Sequence, residues 1–219
     1  MTAARPYGGV KAGERRAQRR AALLGAAFEI IGAQGLDKLT VGRLCAEAGL
    51  NERYYYEHFD GRDAVLSALL DALTEELTTA ITEALAENRG ADARTVAHAA
   101  IAAGVGVLAD DPRKGRAAQI IAAATPRTRA RTAEAVSSFA DLVASSAAGH
   151  AGHAGRAGHA ASAPAAPLRF RAGYLVGGLV MVLGGWLQGQ LPMTREQLID
   201  HTTDIFVLVT SARPAGGPA

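Results

Sequence analysis

Cysteine is almost missing from the chain. Cys45 is the single one in 219 residues, so no intramolecular disulfide forms and a reducing cytoplasm is the expected compartment. Aromatic residues make up only 5%, and alternating or β-branched apolar runs are scarce, which argues against a sheet. No basic n-region followed by an apolar h-region opens the sequence, so no secretory leader is expected. The uncharged stretch Ala172 to Leu187 falls short of the roughly 18 residues of a membrane span and is broken by glycines, and is expected to be a buried helix. Neither sign of charge dominates, and a net charge of +2 does not by itself imply a nucleic-acid partner. The chain also lacks a nucleophile elbow, a phosphate-cradling glycine loop, a zinc motif and a distinctive pair of carboxylates, so neither catalysis nor a cofactor or metal is expected.

What is present is alanine and leucine at helical spacing. With 49% hydrophobic residues, the chain can bury an all-α core divided between one small and one larger domain. Leu24, Phe28 and Ile31 mark one face of a first helix from about Glu14 to Gln34, ended by Gly35. Thr40 is an N-cap for a short second helix reaching Ala48, with Leu44 and Cys45 inward, and Gly49 closes it. Asn51 caps a third helix from Glu52 to Phe59, stopped by Asp60-Gly61. Leu66, Leu69, Leu70, Leu73, Leu77, Ile81 and Leu85 then form a single stripe running to about Asn88. Later helices are expected over residues 94–109, 113–124, 127–148, 168–191 and 194–211, punctuated by Gly90, Pro112, Pro126, Pro167 and Pro192.

The domain organisation expected from this pattern is a disordered arm over 1–13, a helix-turn-helix domain over 14–62, a larger helical ligand-binding and dimerisation domain over 63–212, and a disordered tail over 213–219. Residues 149–167 are rich in Ala, Gly, His and Pro and are expected to be a flexible loop. His150, His153 and His159 within it invite a metal reading, but the segment has no carboxylate or thiol to complete a site. His98 and His201 read as surface or satisfied core histidines, and Cys45 as a packing residue.

Residues 40–59 have the layout of a helix, a tight turn and a second helix, the arrangement that places the second helix in the major groove of DNA. At 100° per residue, Tyr55 and Phe59 share the inward side of that second helix, whereas Arg53, Tyr54, Glu57 and His58 fall on the other. Arg53 has the fork that matches guanine, Glu57 accepts from cytosine N4 and Tyr54 suits a thymine methyl; His58 and Tyr56 suit phosphates. Arg53 and Glu57 are also spaced i, i+4 and can instead satisfy each other. Five basic residues, Lys11, Arg15, Arg16, Arg19 and Arg20, precede this unit against a single Glu14. Such a stretch neutralises phosphates or forms a solvated helix face.

The run from Leu39 to Leu66, LTVGRLCAEAGLNERYYYEHFDGRDAVL, resembles the DNA-binding signature of the tetracycline-repressor (TetR) family. The features that carry the resemblance are Thr40-Val41, the Ala48-Gly49-Leu50 turn, Tyr56-x-His58-Phe59, and Arg62-Asp63 opening the next helix; with the first helix it covers about residues 14 to 70. It implies phosphate contacts from the helix start at Thr40, Val41 and Gly42, from Tyr56 and His58, and from Arg62, with groove contacts from Glu52, Arg53, Tyr54 and Glu57. Arg43 completes the expected DNA-binding set. Gly42, Tyr55, Glu52 and Glu57 depart from the usual residue types, which bears on the operator sequence more than on DNA binding.

The resemblance further implies a homodimer on a palindromic double-stranded operator and a small-molecule effector held in the larger domain. The glycine-punctuated helix Tyr174 to Leu187, followed by Ile199, Ile205, Phe206 and Leu208, supports a dimer seam through roughly 168–211, with a glycine-relieved monomer core as the alternative. Effector binding would mis-space the recognition helices, with Leu66 to Leu85 transmitting the change, and a coupling of about 1–3 kcal/mol would lower operator affinity roughly 5- to 150-fold. A helical ligand carrier or enzyme, and an architectural DNA binder without sequence preference, are the competing readings.

Overall fold

The computed structural model describes residues 12–154 and 166–211, and every regular element among them is helical. Helix α1 (Ala12–Gln34) ends where Gly35 takes φ 88°, a left-handed conformation that glycine adopts without strain. A 3₁₀ turn (Leu36–Lys38) leads into α2 (Val41–Glu47), α3 (Glu52–Tyr56) and the long α4 (Arg62–Glu87). The remainder comprises α5 (Ala93–Ala109), α6 (Pro112–Ala124), α7 (Pro126–Ala154), α8 (Ala166–Leu187) and α9 (Arg195–Ser211). The aspartates Asp92 and Asp111 cap α5 and α6 by accepting from backbone N–H groups of the first turn.

Three packed clusters hold the helices. The first joins Leu23, Ala27, Ile30 and Ile31 of α1 to Leu44 and Cys45 of α2, Tyr55, Phe59, and Leu66, Leu69 and Leu70 of α4. Ala117 and Ile121 of α6 belong to the same cluster, so the N-terminal core does not close on itself but reaches into the rest of the chain. The α1–α6 approach is close enough that a Cβ at Gly32 would overlap the Arg113 carbonyl oxygen, and Arg113 pairs there with Glu29 at 2.5 Å. A second cluster joins Ile101 and Val105 to Leu183, Leu198 and Ile199, and a third sets Ala140 and Ala144 of α7 against Ala172 and Val176 of α8.

Helices α5 and α9 run antiparallel, tied by Arg94–Asp204, His98–Asp200 at 3.4 Å and Arg195–Asp110 at 2.6 Å. His98 is therefore a surface partner of Asp200, and His201 is exposed.

Several expectations change. The expected loop over 149–167 is helical at both ends, because α7 continues to Ala154 and α8 begins at Ala166. The alanine-rich 147–154 stretch favours helix strongly enough to carry the glycines within it. The third helix is shorter than expected, ending at Tyr56 with Glu57 as C-cap, and α8 ends at Leu187, where Gly189 adopts φ 72°. Helix α8 also proves to be 22 residues long, enough by length and composition alone for a membrane span, and it is buried on one side only. The expected arm and tail, except Ala12 and Gly13, and the side chains of His150, His153 and His159 lie outside the described residues.

Candidate nucleic-acid interface

The helix-turn-helix is built by local rules. The Thr40 side chain accepts from Arg43 N at 3.3 Å and starts α2, and Asn51 Oδ1 accepts from Tyr54 N at 3.3 Å and starts α3. Between them Gly49 sits at φ 64°, and Leu50 N donates to the Cys45 carbonyl at 2.9 Å, which closes the α2 end and redirects the chain. Leu44, Cys45, Tyr55 and Phe59 are all buried, so the inward sides of both short helices are those expected. Burial, and then the nearby Glu52 carboxylate, push the Cys45 thiol up, which keeps it protonated and suits a packing role.

On the outward side, Arg53 is 83% exposed and donates from Nε to Glu57 Oε1 at 3.1 Å. Tyr54 is half-buried, Tyr56 is 63% exposed and stands edge-on to Tyr55 with ring centroids 5.2 Å apart, and Glu52 is exposed. Gly42 faces Glu52: a Cβ there would lie 3.5 Å from Glu52 Oε1, in ordinary contact. Thr40, Gly42 and Arg43 are exposed at the start of α2, with Val41 half-buried against the core. Arg62 Nη2 donates to the Leu36 carbonyl at 2.5 Å, tying the start of α4 to the 3₁₀ turn.

The N-terminal half of α1 lies alongside α3, a proximity missed in the sequence. Arg16 Nη2 donates to the Glu57 carbonyl at 3.3 Å, the Arg19 guanidinium lies 4.5 Å from the Tyr54 ring centroid, and Arg20 lies 5.7 Å from that of Phe59. The signal was available in the helix phase. Arg16, Arg19 and Arg20 continue the i, i+3, i+4 progression of Leu23, Ala27 and Ile30, so they emerge on the buried side of α1.

His58 is half-buried with Nε2 enclosed. Burial first, then the Arg16 and Arg19 charges, hold its imidazole below the usual range, with Glu57 opposing and Arg20 reinforcing the shift. A histidine whose folded pKa is depressed is neutral at pH 7, while the unfolded chain takes up the proton near the ordinary value of about 6.5. Its stabilisation is therefore complete above about pH 6.5 and is lost as pH falls towards the folded value. Thermal unfolding from pH 7.5 to 5.5 should show a steeper fall in Tm for the wild type than for His58→Gln; parallel curves would refute the assignment.

A capped helix, a glycine turn and a second helix with an exposed polar side define a helix-turn-helix DNA-binding unit. Residues 23–69 match the family of bacterial regulatory proteins, tetR family. Solved structures agree in fold. A TetR family transcription regulator from Marinobacter aquaeolei VT8 superposes with TM-score 0.61 at 18% identity, covering 90% of this chain and 97% of that one. The fatty acid degradation regulator FadR from Bacillus halodurans gives 0.65 at 14% identity, covering 90% and 96%. The multidrug binding protein EbrR, complexed with imidazole, gives 0.61 at 19% identity, covering 85% and 94%. No curated protein matches the chain.

Proposed function

We propose that the protein is a ligand-responsive repressor that binds a palindromic operator as a homodimer in the cytoplasm, with residues 14–62 as the DNA-binding unit and 63–212 as the ligand-binding and dimerisation unit. The observation that carries this reading is an unpartnered apolar face on α8 and α9. Phe170 (75%), Tyr174 (72%), Met181 (76%) and Leu208 (73%) are exposed, with Gly177 and Gly178 between the outer residues of α8. A second copy of the face covers these side chains, and the glycines let the helices come close. Two recognition helices related by a twofold axis then read two symmetric half-sites.

Ligand responsiveness rests on α4, which leaves the helix-turn-helix and runs between two grooves. One, of about 430 Å³, lies between α4 and α7 beside Thr74, Thr78, Arg131 and Ser138. The other, of about 410 Å³, lies between α4 and α5 beside Ala72, Thr79 and Val107. Both are open grooves rather than enclosed cavities, and a small molecule seated in either would contact α4 directly. Support comes from the same fold in EbrR, a multidrug binding protein complexed with imidazole, and in FadR, a fatty acid degradation regulator.

The test is selection of bound duplexes from a random pool by the purified protein, with its mass in solution measured alongside. An enriched palindrome bound by a dimer supports the reading, and weak salt-sensitive binding without enrichment overturns it in favour of an architectural binder. Derepression of a reporter placed behind the selected sequence, on loss of the protein, separates repression from activation. Arg53→Ala should lose about 1–3 kcal/mol on the best operator and relax one position of each half-site. An unchanged base preference would remove Arg53 from the reading set.

A further inference from the structure

We propose that Arg19, on α1, is a positioning residue for sequence readout: it holds Tyr54 and Glu57 of the recognition helix in the orientation in which they meet the base edges. The inference rests on the operator-binding reading above and names a residue outside the reading set.

The geometry is that of a clamp. The Arg19 guanidinium stacks 4.5 Å from the Tyr54 ring centroid, and its Nη2 lies 4.0 Å from Glu57 Oε2. Arg53 holds the other carboxylate oxygen at 3.1 Å, and Arg16 holds the Glu57 carbonyl at 3.3 Å. Glu57 is thus held from α1 by the Arg16 hydrogen bond at its carbonyl and by the Arg19 charge near its outer carboxylate oxygen, two contacts that do not depend on Arg53. Tyr54 and the C-cap residue Glu57 are spaced i, i+3, and the planar cation of Arg19 bridges both side chains.

Two further observations separate Arg19 from a phosphate contact. Its side chain is only 24% exposed, against 83% for Arg53, and its Nε is enclosed without a hydrogen-bond partner. A side chain turned inward onto the recognition helix is poorly disposed to meet a phosphate. It serves the helix instead. Helix α3 has only five residues and lacks the length to fix its own outward side chains. Ordering them before DNA arrives removes a conformational cost from binding, and removes it only for operators that use that one orientation.

The experiment compares Arg19→Gln and Arg19→Lys with the wild type, by enrichment from a random duplex pool and by operator affinity across a salt series. Arg19→Gln is expected to lose about tenfold on the best operator, the order of magnitude of one or two freed side chains. It should relax the base positions that Tyr54→Ala and Glu57→Ala also relax, and keep the salt slope. In a Tyr54→Ala background, Arg19→Gln should add nothing at the position Tyr54 reads. Arg19→Lys keeps the charge but not the plane that both stacks and bridges, so the same positions should relax. A salt slope lower by about one unit with preference intact would make Arg19 a phosphate contact and overturn the proposal. So would wild-type preference in both variants, and a wild-type profile in Arg19→Lys alone would assign the effect to charge and overturn the stacking geometry. Should Arg19→Gln fail to fold, judged by its Tm, Arg19→Lys carries the test. If the wild type itself enriches no motif, the operator-binding reading fails; if its motif passes unchanged into both variants, only the role of Arg19 fails.

Discussion

Met181→Glu is expected to leave the protein monomeric at concentrations where the wild type is dimeric, and to lower operator affinity by about 10²- to 10⁴-fold. Met181 is 76% exposed in the single chain, so a carboxylate there is solvated and the monomer fold is left intact. In a dimer the same position lies on the line from Phe170 through Tyr174, where an unpaired carboxylate would be taken out of water among apolar side chains. Loss of the dimer removes the second recognition helix from the operator, and with it the gain of roughly 10²–10⁴ that linking two binding modules supplies. The measurements are mass in solution and operator titration, with helical content as the control for folding. A Met181→Glu protein that stays dimeric and binds fully would place the seam elsewhere.

Phe59→Ala should destabilise the N-terminal unit by about 3–5 kcal/mol, the usual range for deleting a buried phenylalanine. Phe59 is 3% exposed, its ring is 5.8 Å from that of Tyr55, and the Arg20 guanidinium lies over it. Tyr55 and Phe59 are the two inward anchors of a helix too short to persist alone, so the cavity is not repaired by a shift of α3 without losing the second anchor as well. Because whole domains are stable by only about 5–15 kcal/mol, the loss should lower Tm markedly and abolish sequence-specific DNA binding together. A Tm within a degree of the wild type would show that α3 is held mainly by α1.

Much of the site was readable because its determinants are local. Thr40, Gly49 and Asn51 each act within a turn of their own position, and the caps and the reversal fall where those residues stand. Leu44, Cys45, Tyr55 and Phe59 were assignable as inward because large apolar side chains contrast with charged neighbours. Helix α1 offers less contrast. Leu24 and Ile31 are buried as expected, but Phe28 is only partly so, and Leu23, Ala27 and Ile30 are buried beside them. An alanine-rich helix marks its buried face weakly, and that it is α3 along which the arginines at its start lie was not legible, because the contact joins segments far apart in sequence. The contact of Gly32 with Arg113 was out of reach for another reason: it joins segments distant in sequence, and nothing near either residue specifies the other. Helix α8 is apolar as read and is buried on one side only, and the sequence did not separate its covered face from its open one, since a side chain that meets a core and one that would meet a second chain need the same chemistry.

The ion pair between Arg53 and Glu57 bears on discrimination as well as on recognition. With Nε at 3.1 Å from Oε1, the two residues satisfy each other in the DNA-free chain, and on the proposed reading a guanine approached through the Nε edge competes with Glu57 for Arg53. Where the duplex offers both a guanine and a suitably placed cytosine amino group, each partner is compensated. Where it offers neither, the protein either keeps the pair and stands off from the bases or opens it and strands two charges. On the proposed reading the protein's own salt bridge is a rival that a matching DNA sequence has to displace, and one already in place before the DNA arrives.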